Sequence, residues 1–507
     1  MQENKLSLFE AAAGRLGSLA GQYRVPLIAG VITGLLAHGF AMSNKLLNAD
    51  EVGALFAKGG SYGYGRWLIE STKYIFPNYS MPWIYGILGV IGFTIAACVM
   101  LSVLGIENKF SQGLLAAVVV SFPSMTALYC YLFTVTPFAL SLLLAVFAVS
   151  IGKRDTWQHW LLSAALMILS LGIYQAYVAV AASLYILLMI QSLLQGEKAK
   201  PVFLFGVRAV LCLALSLGIY YVGSLLSLRI LGTEYANFGV SRSGILYRTA
   251  LTYNALLKVM TRGYFGLVTP GLSRVLHLVC AAALALFYCW WLIRCRDWLS
   301  RLLMLALLVM LPIAMNCVFL MADVEAVHTI VLFSFVILYF LAAMTAEQLR
   351  GRESRVGRSL LMTALLLICI SNVYLANRTY LKLYLQYENA YAIFTEMITQ
   401  VKQTEGFDEK SVLAIVGEGT ETMTEFPRLD SGDLVGPNQE LVNIYTREHF
   451  IRYYMGFDIP YADAEETEAL SWDPRVLEMP VYPYYGSVQK IDDYIVVKLG
   501  ENPYYQG

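Results

Sequence analysis

Long apolar runs alternate with short polar segments along most of the first 377 residues. A helix needs ~20 apolar residues to cross the hydrocarbon core of a membrane, and eleven runs come close to that length. They lie at about 25–43, 82–104, 112–130, 132–151, 158–173, 176–195, 203–230, 275–293, 302–322, 327–346 and 359–377. Two stretches, 112–151 and 158–195, are nearly continuous, and each is divided because it is too long for one crossing. The pattern predicts a polytopic α-helical membrane protein with about 11 transmembrane helices.

The pattern changes after residue 377. The segment RTYLKLYLQYENAYAIFTEMITQVKQ has apolar residues at helical spacing, which predicts a helix that leaves the membrane. Further on, SVLAIVGEG predicts a strand and a turn, and YGSVQKIDDYIVVKLG predicts a turn and a strand. Residues 378–507 are therefore predicted to form a small α+β domain.

Composition agrees with a membrane protein, and charge divides the chain. The 507 residues are 58% hydrophobic and 14% charged, whereas soluble domains are nearer half apolar and a quarter charged. The net charge is zero, but residues 378–507 contain 22 Asp and Glu against 10 Lys and Arg, a net charge of −12. Residues 1–377 therefore carry +12, which indicates two parts with different surroundings.

Basic residues predict the orientation, because loops rich in Lys and Arg face the cytoplasm. Alternate loops contain Lys5, Arg15 and Arg24; Lys109; Lys153 and Arg154; Lys198 and Lys200; Arg294, Arg296 and Arg301; and Arg350, Arg352, Arg355 and Arg358. We therefore expect a cytoplasmic N-terminus, 1–24, and a membrane domain, 25–377, with outside loops at 44–81 and 231–274. An odd number of spans would leave the C-terminal domain, 378–507, outside the cell membrane.

Two adjacent carboxylates, Asp50 and Glu51, follow the first span in LLNADEVGALFAKGGSYGYGRW, residues 46–67. The spacing of Val52, Leu55 and Phe56 predicts a short helix on the membrane surface, with the pair at its start, where the helix dipole favours negative charge. One interpretation is a solvated helix cap, which is common for such residues. The other is a general base that takes a proton from an attacking hydroxyl group.

Three motifs carry a family resemblance: NADEVGALFAKGGSYGYGRW, GIYQAY at residues 172–177, and the closing DDYIVVKLG. They resemble the serotype-converting O-antigen glucosyltransferase family of bacteria and phages, which belongs to the GT-C class of polytopic membrane glycosyltransferases. The resemblance implies an enzyme of the bacterial inner membrane that moves a sugar, expected to be glucose, from a polyprenyl-phosphate carrier to a cell-surface glycan hydroxyl on the outer side. Asp50 or Glu51 would be the base, and the transfer would invert the anomeric carbon.

Basic residues of the outside loops are candidates to bind the donor phosphate. Arg66 follows the glycine-rich part of the first loop, and Arg binds phosphate oxygens in a bidentate manner. Lys258 and Arg262 lie in the second loop among tyrosines. The alternative role for all three is anchoring at the lipid headgroups, which Arg, Lys and Tyr favour.

Asn48, Tyr174 and Gln175 are the candidates for binding the sugar or acceptor. Gln175 has an alternative role, because an amide near a helix end also ties helices together. No cofactor is predicted with certainty. A divalent metal stays open, with Asp323 and Glu325 as weak candidate ligands, although a solvated turn explains them as well.

The expected partners are the polyprenyl-phosphate-linked donor, the glycan acceptor and the lipid bilayer, with no nucleic acid.

The main alternative function is a lipid-linked sugar transporter, or flippase, without chemistry. Transporters commonly show charged residues within spans and internal repeats, whereas these spans are nearly free of charge and no repeat is visible. An acyltransferase would need a nucleophile or a histidine base, and the five histidines are scattered. A third alternative is a receptor whose acidic, Tyr-rich tail binds a partner.

Overall fold

The computed structural model describes residues 21–47, 49–54, 64–72, 74–77, 79–154, 156–232, 244–262, 270–320, 329–349, 355–418, 429, 434, 436 and 446–502. Its helices are α1 Arg24–Ser43, α2 Ala49–Ala54, α3 Ile69–Thr72, α4 Pro82–Val103, α5 Lys109–Ser121, α6 Pro123–Tyr129, α7 Leu132–Gly152, α8 Trp157–Ile173, α9 Val178–Leu194, α10 Ala199–Leu231, α11 Ile245–Arg262, α12 Pro270–Arg294, α13 Trp298–Met315, α14 Ile337–Gln348, α15 Arg355–Gln403, α16 Arg447–His449, α17 Ala464–Ser471 and α18 Pro474–Glu478. Short 3₁₀ segments occupy Gln175–Tyr177, Cys317–Leu320 and Thr329–Val336, and a π turn occupies Phe450–Tyr454. The strands are β1 Val412–Val416, β2 Val488–Ile491 and β3 Tyr494–Lys498.

Within the described ranges, nine helical segments are long and apolar enough to cross a membrane, and the bent pair α5–α6 raises the number to ten. The prediction of a polytopic helical membrane protein is confirmed, and nine of the eleven predicted runs overlap one helix each. The run 112–130 corresponds to the bent pair α5–α6, and the run 327–346 to the 3₁₀ segment Thr329–Val336 followed by α14. The difference in number comes from α8, which has only 17 residues. A helix of that length is about 25 Å long, at the lower limit for a span.

Contacts between residues divide the chain into two compact units. We call the first the membrane unit: Met1–Ser43, Gly59–Asn377 and Gly432–Val435. The second, the tail unit, comprises Asn44–Lys58, Arg378–Ser431 and Gly436–Gly507. The carboxylate helix α2 therefore groups with the C-terminal residues, and α15 contributes residues to both units.

Close helix packing in the membrane unit depends on small residues and satisfied polar groups. A Cβ atom at Gly89 of α4 would overlap Val135 Cγ1 on α7, so only glycine fits there. His38 of α1 is fully buried, its Nε2 is 2.8 Å from the carbonyl oxygen of Val120, and its ring stacks on Tyr129 at 3.9 Å. A polar group so bound can be held among apolar spans, because hydrogen bonds between helices offset its desolvation.

The tail unit is built around a three-stranded mixed sheet. Strand β3 is central, pairs in parallel with β1 and antiparallel with β2, and has Val412 opposite Tyr494 and Val488 opposite Val497. One face of the sheet packs on the end of α15, and this core also contains Leu47 and Val52 from the segment that follows α1. Leu413 and Ile415 of β1 face this core, because successive side chains of a strand point to opposite faces, and Ala414 and Val416 pack in a second core on the other face.

Candidate functional site

The two carboxylates lie in the first turn of α2, as the sequence predicted. Leu47 and Val52, on either side of the pair, are buried in the core of the tail unit. These apolar neighbours fix the orientation of the short helix, since six residues are too few for a helix to be stable alone. The side chains of Asp50 and Glu51 consequently have different surroundings.

Glu51 is buried, with 1% of its surface exposed, whereas Asp50 is exposed. The Glu51 carboxylate accepts a hydrogen bond from Lys45 Nζ at 3.3 Å, and its backbone carbonyl accepts one from the Tyr454 hydroxyl at 3.4 Å. Burial raises the pKa of Glu51 from 4.5 to about 7; Lys45 opposes this rise and the neighbouring Asp50 adds to it. Near neutral pH, Glu51 thus exchanges a proton readily, while Asp50 is the carboxylate that solvent reaches.

Arg66 belongs to the membrane unit and is surrounded by aromatic rings. Its Cζ atom lies 5.1 Å from the ring centre of Tyr174, 5.7 Å from that of Phe138 and 5.9 Å from that of Tyr64. Tyr174 and Phe138 stack on each other at 3.8 Å, which gives the guanidinium a rigid aromatic wall. A cation at such distances is attracted to the negative face of a ring.

The backbone before Arg66 is held by two donors from different helices. Gln175 Nε2 donates to the carbonyl oxygen of Tyr64 at 2.7 Å, and the Tyr220 hydroxyl donates to that of Gly65 at 3.1 Å. Gln175 also donates to the Tyr220 hydroxyl at 2.8 Å, so the two donors support each other. Gly65 has a φ of +72°, a conformation that glycine adopts without strain. We call Tyr64, Gly65, Gln175 and Tyr220 the carbonyl lock.

Arg66 makes no ion pair within the part of the chain that the structure describes, and its buried Nε has no hydrogen-bond partner there. Its described contacts are the three rings, which attract the charge without neutralising it. A guanidinium in this condition favours an anion that can accept several hydrogen bonds, such as a carboxylate or phosphate. The arrangement can therefore bind a phosphate group.

A family model described as glucosyl transferase GtrII matches residues 39–346, which is more than half of the chain. The chain belongs to the GtrII glucosyl transferase family. The matched region includes Asp50, Glu51, Arg66, Tyr174 and Gln175. Comparison with the curated proteins and with the solved structures gives no match.

This GtrII family member is accordingly a membrane glucosyltransferase, and the predicted enzyme class and family are confirmed. A sugar donor, a sugar acceptor and the bilayer are partners that such an enzyme requires. The family assignment favours chemistry over the transporter alternative.

The structure brings three of the predicted site residues of this GtrII protein together, because Arg66, Tyr174 and Gln175 share one cluster. Lys258 is exposed on α11, which packs against α12, α13 and the 3₁₀ segment Cys317–Leu320, so it lies on a different group of helices. Arg262 ends the same helix, and its side chain lies outside the described part of the structure.

Asn48, Asp323 and Glu325 fall outside the described residues. Their proposed roles in sugar or metal binding therefore stay predictions. Over the described ranges, no group of three or more His, Cys, Asp or Glu side chains is arranged to hold a metal ion.

Sequence reasoning missed four residues of these clusters: Lys45 and Tyr454 near Glu51, and Phe138 and Tyr220 near Arg66. Lys45 stands six residues before Glu51, so charge spacing offered a local signal. Phe138 and Tyr220 lie inside apolar spans, where another aromatic residue carries no distinguishing pattern. Tyr454 is 403 residues from Glu51, and only the fold unites them.

The raised pKa of Glu51 predicts a pH-dependent stability. Between pH 4.5 and about 7 the folded protein binds more protons at this group than the unfolded chain, so stability falls as pH rises through that window. The loss attributable to Glu51 is at most about 3 kcal/mol. Glu51→Gln removes this proton-linked contribution. The unfolding temperature of the variant, relative to that of the wild type, should therefore rise between pH 4.5 and about 7 and stay constant above that pH.

Thermal unfolding of the purified protein at a series of pH values measures this difference. Glu405→Gln, at an exposed position, is the control. A difference between Glu51→Gln and the wild type that is the same at every pH would contradict the assignment.

The carbonyl lock predicts an energetic coupling between Gly65 and Tyr220. A Cβ at residue 65 would lie 2.5 Å from the Tyr220 hydroxyl oxygen, so Gly65→Ala should destabilise the protein through both a clash and its positive φ. Removing the hydroxyl in Tyr220→Phe should make the same glycine substitution less costly, by about 0.5–3 kcal/mol in a double-mutant cycle.

Gly105→Ala separates the two effects. Gly105 also has a positive φ, +56°, but its nearest neighbour to a new Cβ is Gln191 Nε2 at 3.8 Å. Its cost should therefore be backbone strain alone and should not change in the Tyr220→Phe background. Unfolding temperatures of the variants give the comparison, and strict additivity for Gly65 and Tyr220 would show that the lock is not formed.

Proposed function

We propose that this GtrII family member transfers glucose from a polyprenyl-phosphate carrier to the hydroxyl group of a cell-surface glycan, with inversion at the anomeric carbon. The observation that carries the proposal is the Arg66 cluster, a cation bounded by three rings on a backbone that two donors hold. A phosphate-linked donor needs such a cation, because negative charge grows on its bridging oxygen as the glycosidic bond breaks.

Arg66 would bind the phosphate of the donor. Its guanidinium carries a positive charge and several N–H donors in a fixed plane. As the bond between C1 of glucose and the phosphate oxygen breaks, both electrons go to that oxygen, and the polyprenyl phosphate leaves without needing a proton. A guanidinium that is already in position stabilises this change most, because it does not have to reorganise during the reaction.

Asp50 would be the general base, and Glu51 a residue that positions and tunes it. The acceptor hydroxyl arrives from water, and Asp50 is the exposed carboxylate of the pair whereas Glu51 is 1% exposed. The acceptor oxygen forms the new bond to C1 as its proton passes to the Asp50 carboxylate. Glu51 would influence this step through its charge, which depends on Lys45 and on pH.

The charge pattern supports a bacterial inner-membrane location, with the N-terminus in the cytoplasm and the tail domain outside. Every loop expected to face the cytoplasm contains Lys or Arg, whereas three short loops expected outside, near 131–136, 173–176 and 323–328, contain none. Basic loops remain on the cytoplasmic side during insertion. Transfer would then occur at the outer surface, where a surface glycan is accessible.

Substitution of the proposed base should stop the chemistry without unfolding the protein. We expect Asp50→Asn to lower glucosyl transfer by about 10²- to 10⁴-fold, the usual contribution of a general base. Glu51→Gln should lower the rate of glucosyl transfer less than Asp50→Asn does, and it should change the pH dependence of that rate near pH 7.

The assay measures transfer from radiolabelled polyprenyl-phosphate glucose to a glycan added outside right-side-out vesicles. Asp493→Asn, at an exposed position of the tail, is the control. Equal rates for Asp50→Asn and the wild type would exclude Asp50 as base, and an intact donor with every glycan would exclude this donor.

Substitution of Arg66 should weaken donor use. We expect Arg66→Gln to lower kcat/KM for the donor by about 10- to 100-fold, the value of a charged hydrogen bond lost in the transition state. Arg66→Lys should lower kcat/KM less than Arg66→Gln does, because the positive charge remains although the bidentate geometry is lost. Arg294→Gln is the matched control, since Arg294 also lies over a ring, that of Trp290 at 5.8 Å. If Arg66→Gln changed only the KM for the acceptor, the phosphate role would be wrong.

A further inference from the structure

A groove of about 540 Å³ runs along helices α8 and α10 of the membrane unit. Its lining includes Thr156, Trp157 and Arg208, and beyond them Leu161, Leu211 and Leu215. The three leucines are 48–64% exposed, so they face out of the helix bundle. In a membrane protein such a groove faces lipid, and its volume is in the range of small-molecule sites.

The register of the two helices shows where Arg208 stands. Cys212 Sγ is 3.7 Å from the carbonyl oxygen of Trp160, and Ser216 Oγ is 3.4 Å from that of Ala164. Both pairs are 52 residues apart, so the helices run in the same direction with a constant offset. Arg208 therefore stands level with Thr156, the residue that precedes α8. Its charge lies at the entrance of the groove, and the leucines follow toward the middle of the span.

This entrance lies at a positively charged end of the bundle. The segments beside it contain Lys153 and Arg154 with Asp155, and Lys198 and Lys200 with Glu197, so that together with Arg208 their net charge is +3. Trp157 is 69% exposed at the same level, and exposed tryptophan favours the headgroup region of a bilayer. Positive charge above an apolar groove is complementary to an anionic headgroup above a hydrocarbon chain.

The groove is separate from the Arg66 cluster. Tyr220, which belongs to the carbonyl lock, lies 12 residues beyond Arg208 on the same helix, and this corresponds to about 18 Å along its axis. The entrance of the groove and the proposed donor-phosphate site are thus about 18 Å apart along α10. A donor bound through Arg66 would place its phosphate far from Arg208.

We infer that this groove binds an anionic phospholipid, with its phosphate at Arg208 and Trp157 and one acyl chain along Leu161, Leu211 and Leu215. Arg208 supplies charge and hydrogen-bond donors at headgroup depth, and the leucines supply an apolar surface for the chain. A phospholipid of the surrounding leaflet fits better than the polyprenyl carrier, because the carrier's phosphate is assigned to the Arg66 cluster, whose Tyr220 is about 18 Å from Arg208 along α10. This choice of occupant rests on the proposed donor site at Arg66, whereas the lipid-binding measurement needs neither the donor nor the base.

Native mass spectrometry of the purified full chain tests the site. The protein is released from micelles containing equal amounts of dioleoyl phosphatidylglycerol and dioleoyl phosphatidylcholine, which differ in charge and share their chains. We expect the wild type to retain phosphatidylglycerol about fivefold better, as one Arg near the surface provides. Arg208→Gln should abolish the preference and Arg208→Lys should keep most of it. Arg294→Gln should leave it unchanged, because that exposed Arg also accompanies a tryptophan but does not line the groove.

Three results would overturn the inference. The first is equal retention of the two lipids by the wild type. The second is an unchanged preference in Arg208→Gln when thermal unfolding shows that the variant is folded. The third is displacement of phosphatidylglycerol by an equimolar amount of undecaprenyl phosphate in the wild type but not in Arg208→Gln, which would make the carrier the ligand of this groove.

Discussion

The hydrogen bonds from Gln175 and Tyr220 to the carbonyl groups of Tyr64 and Gly65 determine where Arg66 lies. Gly65 is buried, so its carbonyl group needs a hydrogen-bond donor from the protein. Tyr220 provides that donor, and Gln175 donates to the adjacent carbonyl group of Tyr64. Because the backbone before Arg66 is held in this way, the position of the Arg66 side chain is restricted as well. The rings of Phe138 and Tyr174 then contact the guanidinium from one side. The positions of two polar side chains within apolar helices thus determine the position of a charge.

A different principle governs the carboxylates. Asp50 and Glu51 are neighbours in sequence, yet a helix turns by about 100° per residue, so one can face the core while the next faces water. Val52 and Leu47 are buried in the tail unit, and Glu51 is buried with them. The cost of burying this carboxylate is partly offset by Lys45 and appears as a raised pKa. One adjacent pair therefore provides an exposed carboxylate and a proton-exchanging group near neutral pH.

Much of the fold was predictable because apolar length is a local property. Each predicted run overlaps at least one helix, and β1 and β3 lie where branched and apolar residues predicted strands. The number of spans is harder to predict, since α8 has 17 residues. That length suits both a short membrane span and a buried helix that does not cross the membrane. Within the site, Arg66, Tyr174 and Gln175 could be named from polarity near helix ends. Their partners Phe138 and Tyr220 could not, because contacts between residues 155 positions apart, such as Gly65 and Tyr220, leave no trace in local periodicity.

The central position of β3 has a consequence for synthesis of the chain. Leu47 and Val52 leave the ribosome early, but they pack in a core that includes Ile495 and Val497 of β3. At about 5–20 residues per second, these partners are made roughly 20 to 90 s later. During that interval the carboxylates exist without the surroundings that bury Glu51 and orient the helix. A nascent chain can insert its first span long before Glu51 acquires its buried surroundings, so the core that holds α2 would be complete only after β3 has been made.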